Sequence, residues 1–131
     1  MTTTTTPPLC FIDARGGELA RLCAAVARAL GFSDAIALVV GPEKPLPDDV
    51  QTVLDEVGMT APHVSAFDHV LTSKHFCVWL GDASPSVNVA GMQVWPAALH
   101  DTAAPIFDRL VIARLLRDDV ARRVRAAHKA P

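Results

Sequence analysis

Short apolar runs alternate with stretches of helical period along this chain. Leu9-Cys10-Phe11-Ile12 is continuous apolar sequence, which suits a strand buried on both faces, and Gly16-Gly17 breaks it before a new period sets in. Leu19, Leu22, Cys23, Val26 and Leu30 then recur at three and four residues, and Gly31 stands where a helix C-terminus favours a glycine. The unit is strand, tight turn, helix. Ala35 to Val40 is a second buried strand, stopped by Gly41-Pro42, and the proline-rich stretch to Pro47 reads as a loop. Asp48 stands as a cap ahead of the stripe Val50, Val53, Leu54 and Val57, a second helix that Gly58 ends. Phe76 to Leu80 predicts a third strand and Met92 to Trp95 a fourth, with the polar loop Gly81 to Ala90 between them. Ile106, Leu110, Ala113, Val120 and Val124 place an apolar stripe along a long closing helix, with Asp101 or Thr102 as its cap.

Parallel neighbours need a crossover, and the crossover is normally right-handed, so this alternation predicts an α/β fold: a small four-stranded parallel open sheet with helices on both faces. Met1 to Pro8, a threonine run closed by two prolines, has nothing to bury and is expected to be a disordered leader, with a single domain over 9–131. Open sheets of this kind bind ligands outside the carboxyl ends of their strands. That rule points to Asp13 to Glu18, Gly41 to Pro47, Gly81 to Ala90 and the stretch around Asp101.

Composition narrows the partners. With 131 residues, half of them apolar, the chain has enough for one core and no room for a second domain. No apolar stretch is long enough for a membrane span, and Met1 to Pro8 has neither the basic start nor the apolar centre of a signal peptide. Three cysteines at wide spacing, Cys10, Cys23 and Cys77, fit buried thiols in a reducing compartment, so the expected location is the cytoplasm. They have no zinc spacing, and no metal site, Walker loop, dinucleotide fingerprint or other cofactor signature is present. The formal charge of −2 hides a basic end: Arg114 to Pro131 is net +4. Asp118 to Arg122 and Asp119 to Arg123 stand four apart, as on a solvated helix end, and no aromatics interleave the arginines to stack on bases. Nucleic acid and membrane are therefore not expected as partners. A protein partner, a small ligand and a homo-oligomer stay open.

Asp13, at the carboxyl end of the first strand, has two readings. It is a nucleophilic or phospho-accepting carboxylate, or else Asp13, or Glu18 beside it, holds the N–H groups that open the first helix. No second acidic residue follows at short spacing to hold magnesium, which favours the second reading. Arg15 is placed to neutralise Asp13. Gly16-Gly17 either form a nest of N–H donors for an anion or serve a tight turn without a ligand. His100-Asp101 invites an acid/base reading, while Trp79 and Trp95 are expected in the core.

In their order, several of these words resemble the low-molecular-weight tyrosine phosphatase and thioredoxin-coupled arsenate reductase superfamily. The words are Val39-Val40-Gly41 at the second strand end, Val53-Leu54-Asp55-Glu56-Val57-Gly58-Met59, Ser65, Val78-Trp79-Leu80-Gly81-Asp82, Trp95, and Asp101 ahead of the terminal helix. The resemblance runs from Leu9 to Ala126 and implies a phosphotyrosine-phosphatase-I-like fold. It also implies an anion-binding loop of the form C-x-x-x-x-x-R over Asp13, Ala14, Arg15, Gly16, Gly17, Glu18 and Leu19. There the chain departs: Asp13 stands in the place of the nucleophilic cysteine, Leu19 in that of the phosphate-gripping arginine, and Ala20 where the family has a serine or threonine. Asp101 matches the general acid, although Thr102 replaces the proline that usually follows. Cys10 to Arg15 and Cys23 to Arg28 are each one residue short of the spacing, and both cysteines lie on core positions.

A carboxylate where the thiolate should stand puts negative charge where a phosphate must lie, and leucine offers no bidentate grip. The expectation is a pseudophosphatase acting as a binding or regulatory module. Its rivals are an enzyme of different chemistry using Asp13 and Asp101, and a structural or oligomerisation subunit.

Overall fold

The computed structural model describes residues 8–81, 85–95 and 105–127. Leu9–Asp13 forms β1, Glu18–Ala29 α1, Ile36–Val39 β2, Asp48–Asp55 α2, Val64–Ala66 β3, His69–Thr72 α3, Phe76–Leu80 β4, Gln93–Trp95 β5 and Ile106–Ala127 α4. The strands form one parallel sheet in the order β3-β2-β1-β4-β5. The predicted four strands are therefore five. The missed one, β3, is a three-residue edge strand, Val-Ser-Ala behind Pro62, in which only Val64 is buried. So short a run carries no alternation to read, and its pairing with Ala37, Leu38 and Val39 of β2 defines it.

β1 lies at the centre because every one of its residues is buried. Leu9 and Phe11 face one side, in a core with Leu19, Ala20, Cys23, Val26, Ala37, Val39, Val78, Leu80, Val120 and Val124, so α1 and α4 cover that face. α2 packs outside them, joining Val50 and Leu54 to Leu22, Ala25 and Leu116. Cys10 and Ile12 face the other side with Leu38, Cys77 and Trp79, and Phe67, Val87, Val89 and Met92 are packed against them. The Cys77 thiol meets the Thr72 carbonyl at 3.6 Å, which places the four-residue α3 over this second face. Helices thus flank both faces, and the chain changes face where it turns back from β3 to β4, as right-handed crossovers require. Both tryptophans are buried: Trp79 in the second cluster, and Trp95 with its ring 6.0 Å from that of Phe11 and under the Arg123 guanidinium at 5.9 Å.

Local punctuation follows the sequence in places and departs in others. Gly31 follows the Leu30 cap of α1 at φ 104°, as expected. Asp48 is not the cap of α2: Pro47 takes that position, and Asp48 and Asp49 lie in the first turn, where the dipole favours acids. Asp49 is buried, 3.4 Å from Arg109 of α4. Ile106, the first residue of α4, and Val57, in the turn that follows α2, both predicted in apolar stripes, are about half exposed. Asp118 pairs with Arg117 rather than Arg122, while Asp119 takes both Arg122 and Arg123. Arg117 donates to the Val53 carbonyl at 2.7 Å and Arg114 bonds Glu56, so part of the basic end is spent on clamping α4 to α2. The expected leader and the cap candidates Asp101 and Thr102 fall outside the described residues, apart from Pro8. No helix among the described residues is long and apolar enough to cross a membrane.

Candidate functional site

The strand order reverses at β1, so the loop from β1 to α1 opens on the crevice where parallel sheets bind their ligands. This loop needs two successive positive-φ residues, Gly16 at 82° and Gly17 at 92°, before α1 can start. A Cβ on Gly16 would lie 2.7 Å from the Lys44 side chain, and one on Gly17 2.9 Å from Val64. Glycine is therefore demanded twice over, by conformation and by close approach. The Gly41 to Pro47 loop is drawn in with it: Lys44 N–H donates to the Gly16 carbonyl at 2.9 Å, and Val40 N–H to that of Asp13 at 2.8 Å. Two of the four predicted loops thus meet. Residues 82–84 of the third, and His100 and Asp101 of the fourth, lie outside the described residues.

At the centre of the loop is Asp13, fully buried. Its Oδ1 accepts from the N–H of Arg15 at 2.8 Å and of Gly17 at 2.9 Å, and its Oδ2 from the N–H of Ala20 at 2.8 Å. Gly17, the helix cap, has no side chain to offer the first turn, so Asp13 supplies the missing acceptor from four residues upstream. Of the two sequence readings, the geometry is that of the helix-opening carboxylate. Arg15 contributes its backbone N–H, while its side chain and that of Ala14 are exposed. The groups that meet the Asp13 carboxylate are thus backbone N–H donors at the helix start, and not the expected Arg15 guanidinium.

Leu19 and Ala20 are fully buried in the core under β1 and reach no solvent. Glu18 is half-buried at the mouth of the loop. Burial first, and then the charge of Asp13, push its carboxyl above the ordinary range; Arg15 and Lys44 pull it back in part, and Asp49 adds to the rise. Because folding raises this pKa, ionised Glu18 opposes folding. Stability is greatest below the ordinary glutamate value of about 4.3 and falls as pH rises through the raised one. Glu18→Gln is therefore expected to raise the melting temperature at neutral pH, with the gain vanishing below about pH 4. A variant melting lower than the parent at neutral pH would show that the helix dipole outweighs burial there.

Cys10 and Cys23 are fully buried, in β1 and α1 as the periodicity implied. Burial and the neighbouring charge of Asp13 push the Cys23 thiol far above its usual value, so it is no nucleophile. No group of three or more metal-ligating side chains is found among the described residues.

No family model matches the chain, and no curated protein does. Solved structures do. An arsenate reductase from Archaeoglobus fulgidus shares 16% identity over 93% of this chain and 99% of its own, at a TM-score of 0.71. An arsenate reductase in a phosphate-binding state is 16% identical over 91% and 94%, at 0.66. A protein tyrosine phosphatase is 8% identical over 97% and 99%, at 0.67. At these identities the likeness is one of fold, and it extends over nearly the whole of each chain.

Proposed function

We propose that this chain is a pseudophosphatase: a phosphatase-like scaffold without turnover, acting as a binding or regulatory module for a protein partner or small ligand. The observation that carries this is the occupation of the loop by the chain's own carboxylate. In the fold it resembles, the loop N–H groups and the start of α1 would cradle an anion. Here the N–H groups of Arg15, Gly17 and Ala20 are engaged by Asp13, and the position that would present a guanidinium is Leu19, turned into the core. An anion entering the loop would meet a buried negative charge and donors already satisfied.

The rival reading, an enzyme using Asp13 and Asp101, needs Asp13 to reach a substrate. Full burial and three N–H bonds argue against that. Purified protein is expected to hydrolyse no aryl phosphate and to reduce no arsenate with thioredoxin, since nucleophile and electrostatic grip each support a rate factor of orders of magnitude. Turnover that Asp101→Ala abolishes would overturn the proposal.

A further inference from the structure

Cys10 and Cys77 are register partners in adjacent strands, the second residue of β1 against the second of β4. Both side chains lie in the same apolar cluster on the α3 face of the sheet. Register partners in a sheet stand about 4.8 Å apart, inside the window of roughly 4.4–6.8 Å between Cα atoms that a disulfide spans. Both are free thiols. Cys23, in α1 on the opposite face, takes no part in this pair.

We propose that Cys10 and Cys77 are an oxidisable dithiol, closed by hydrogen peroxide to a disulfide across β1 and β4. The order of events follows from the environment. Cys10 lies in the central strand with no exposure, whereas Cys77, under the thin cover of α3, keeps a trace of it. Cys77 therefore reacts first. Its sulfur attacks one peroxide oxygen, the O–O bond breaks, and water leaves with the thiol proton, giving a sulfenic acid at Cys77. The Cys10 sulfur then attacks that of Cys77, the S–O bond breaks, and hydroxide leaves as a second water with the proton of Cys10. The two thiols lose two electrons in all, and the peroxide takes them.

Access is through α3, a four-residue helix whose Thr72 and the following His75 offer carbonyls to Cys77 at 3.6 and 3.7 Å, and whose Val70 is 74% exposed. So thin a cover opens locally at low cost. Parallel neighbours hold their Cβ atoms near the strand spacing, farther apart than the mean of about 3.8 Å in disulfides, so closure draws the strands together. A bond made under that strain is readily reduced again.

The test is peptide mapping of the native full chain after hydrogen peroxide, followed by unfolding, maleimide alkylation and digestion. Two of the three thiols are expected to be lost, with a Cys10–Cys77 cross-linked peptide about 2 Da lighter than the sum of its parts. The yield should not depend on protein concentration, and reduced glutathione should restore both thiols. Cys77→Ser should leave Cys10 a thiol, and Cys23→Ser should leave the cross-link intact. Recovery of both thiols under conditions that oxidise the unfolded chain would overturn the proposal. So would separate oxidation of each sulfur without a cross-link, or pairing through Cys23. Because the wild-type map alone decides these outcomes, a variant that fails to fold leaves the test intact.

Discussion

Asp13→Ala is expected to destabilise the protein by about 1–3 kcal/mol in denaturant or thermal unfolding, because loop donors that are now bonded would be left without an acceptor. The carboxylate accepts from three N–H groups, two of them in fully buried surroundings, and alanine replaces none of those bonds. Asparagine keeps one acceptor oxygen but turns an N–H donor toward the loop's own donors, so Asp13→Asn should fold with an intermediate loss. A neutral or stabilising Asp13→Ala would mean that the carboxylate is held at a cost, as catalytic groups often are. That outcome would move the enzyme reading ahead of the scaffold one.

Leu19→Arg, the substitution that would add a guanidinium at the start of α1, is expected to cost about 3–5 kcal/mol. Position 19 is fully buried with Leu9, Phe11 and Ala20, so the charge would enter a packed apolar core while the leucine's own contacts are lost. The loss is read as a lower urea midpoint at unchanged slope. Near-neutral stability would contradict this, since it would show that a basic side chain reaches Asp13 and that the loop has room for it.

Much of this arrangement is legible in the amino-acid sequence itself. The run Leu9 to Ile12, the Gly16-Gly17 break and the stripe from Leu19 define a strand, a positive-φ turn and a helix. A carboxylate at the strand's end then has the orphan donors of the helix as natural partners. The fold likeness is legible for a similar reason: strand ends, glycines and helix starts fall in an order that few topologies share. What escapes is set by long-range geometry. Three residues of β3 have no period of their own and become a strand only through β2. α3 is one turn, held by the Asp68 side chain on the Val70 N–H, and it carries no stripe. The approach of Lys44 over Gly16 depends on how the Gly41 to Pro47 loop docks, and the facing of Cys10 and Cys77 on the relative register of β1 and β4. Neither can be counted along the sequence.

Whether Asp13 fills the anion cradle is tested most directly by thermal melting with added anions. Phosphate or sulfate at millimolar concentration, compared with chloride at matched ionic strength, is predicted to leave the melting temperature of the wild-type chain unchanged, because a site without vacancy gains nothing by mass action. A rise that grows with phosphate concentration, beyond the chloride control and undiminished by changes in the basic end of α4, would contradict it.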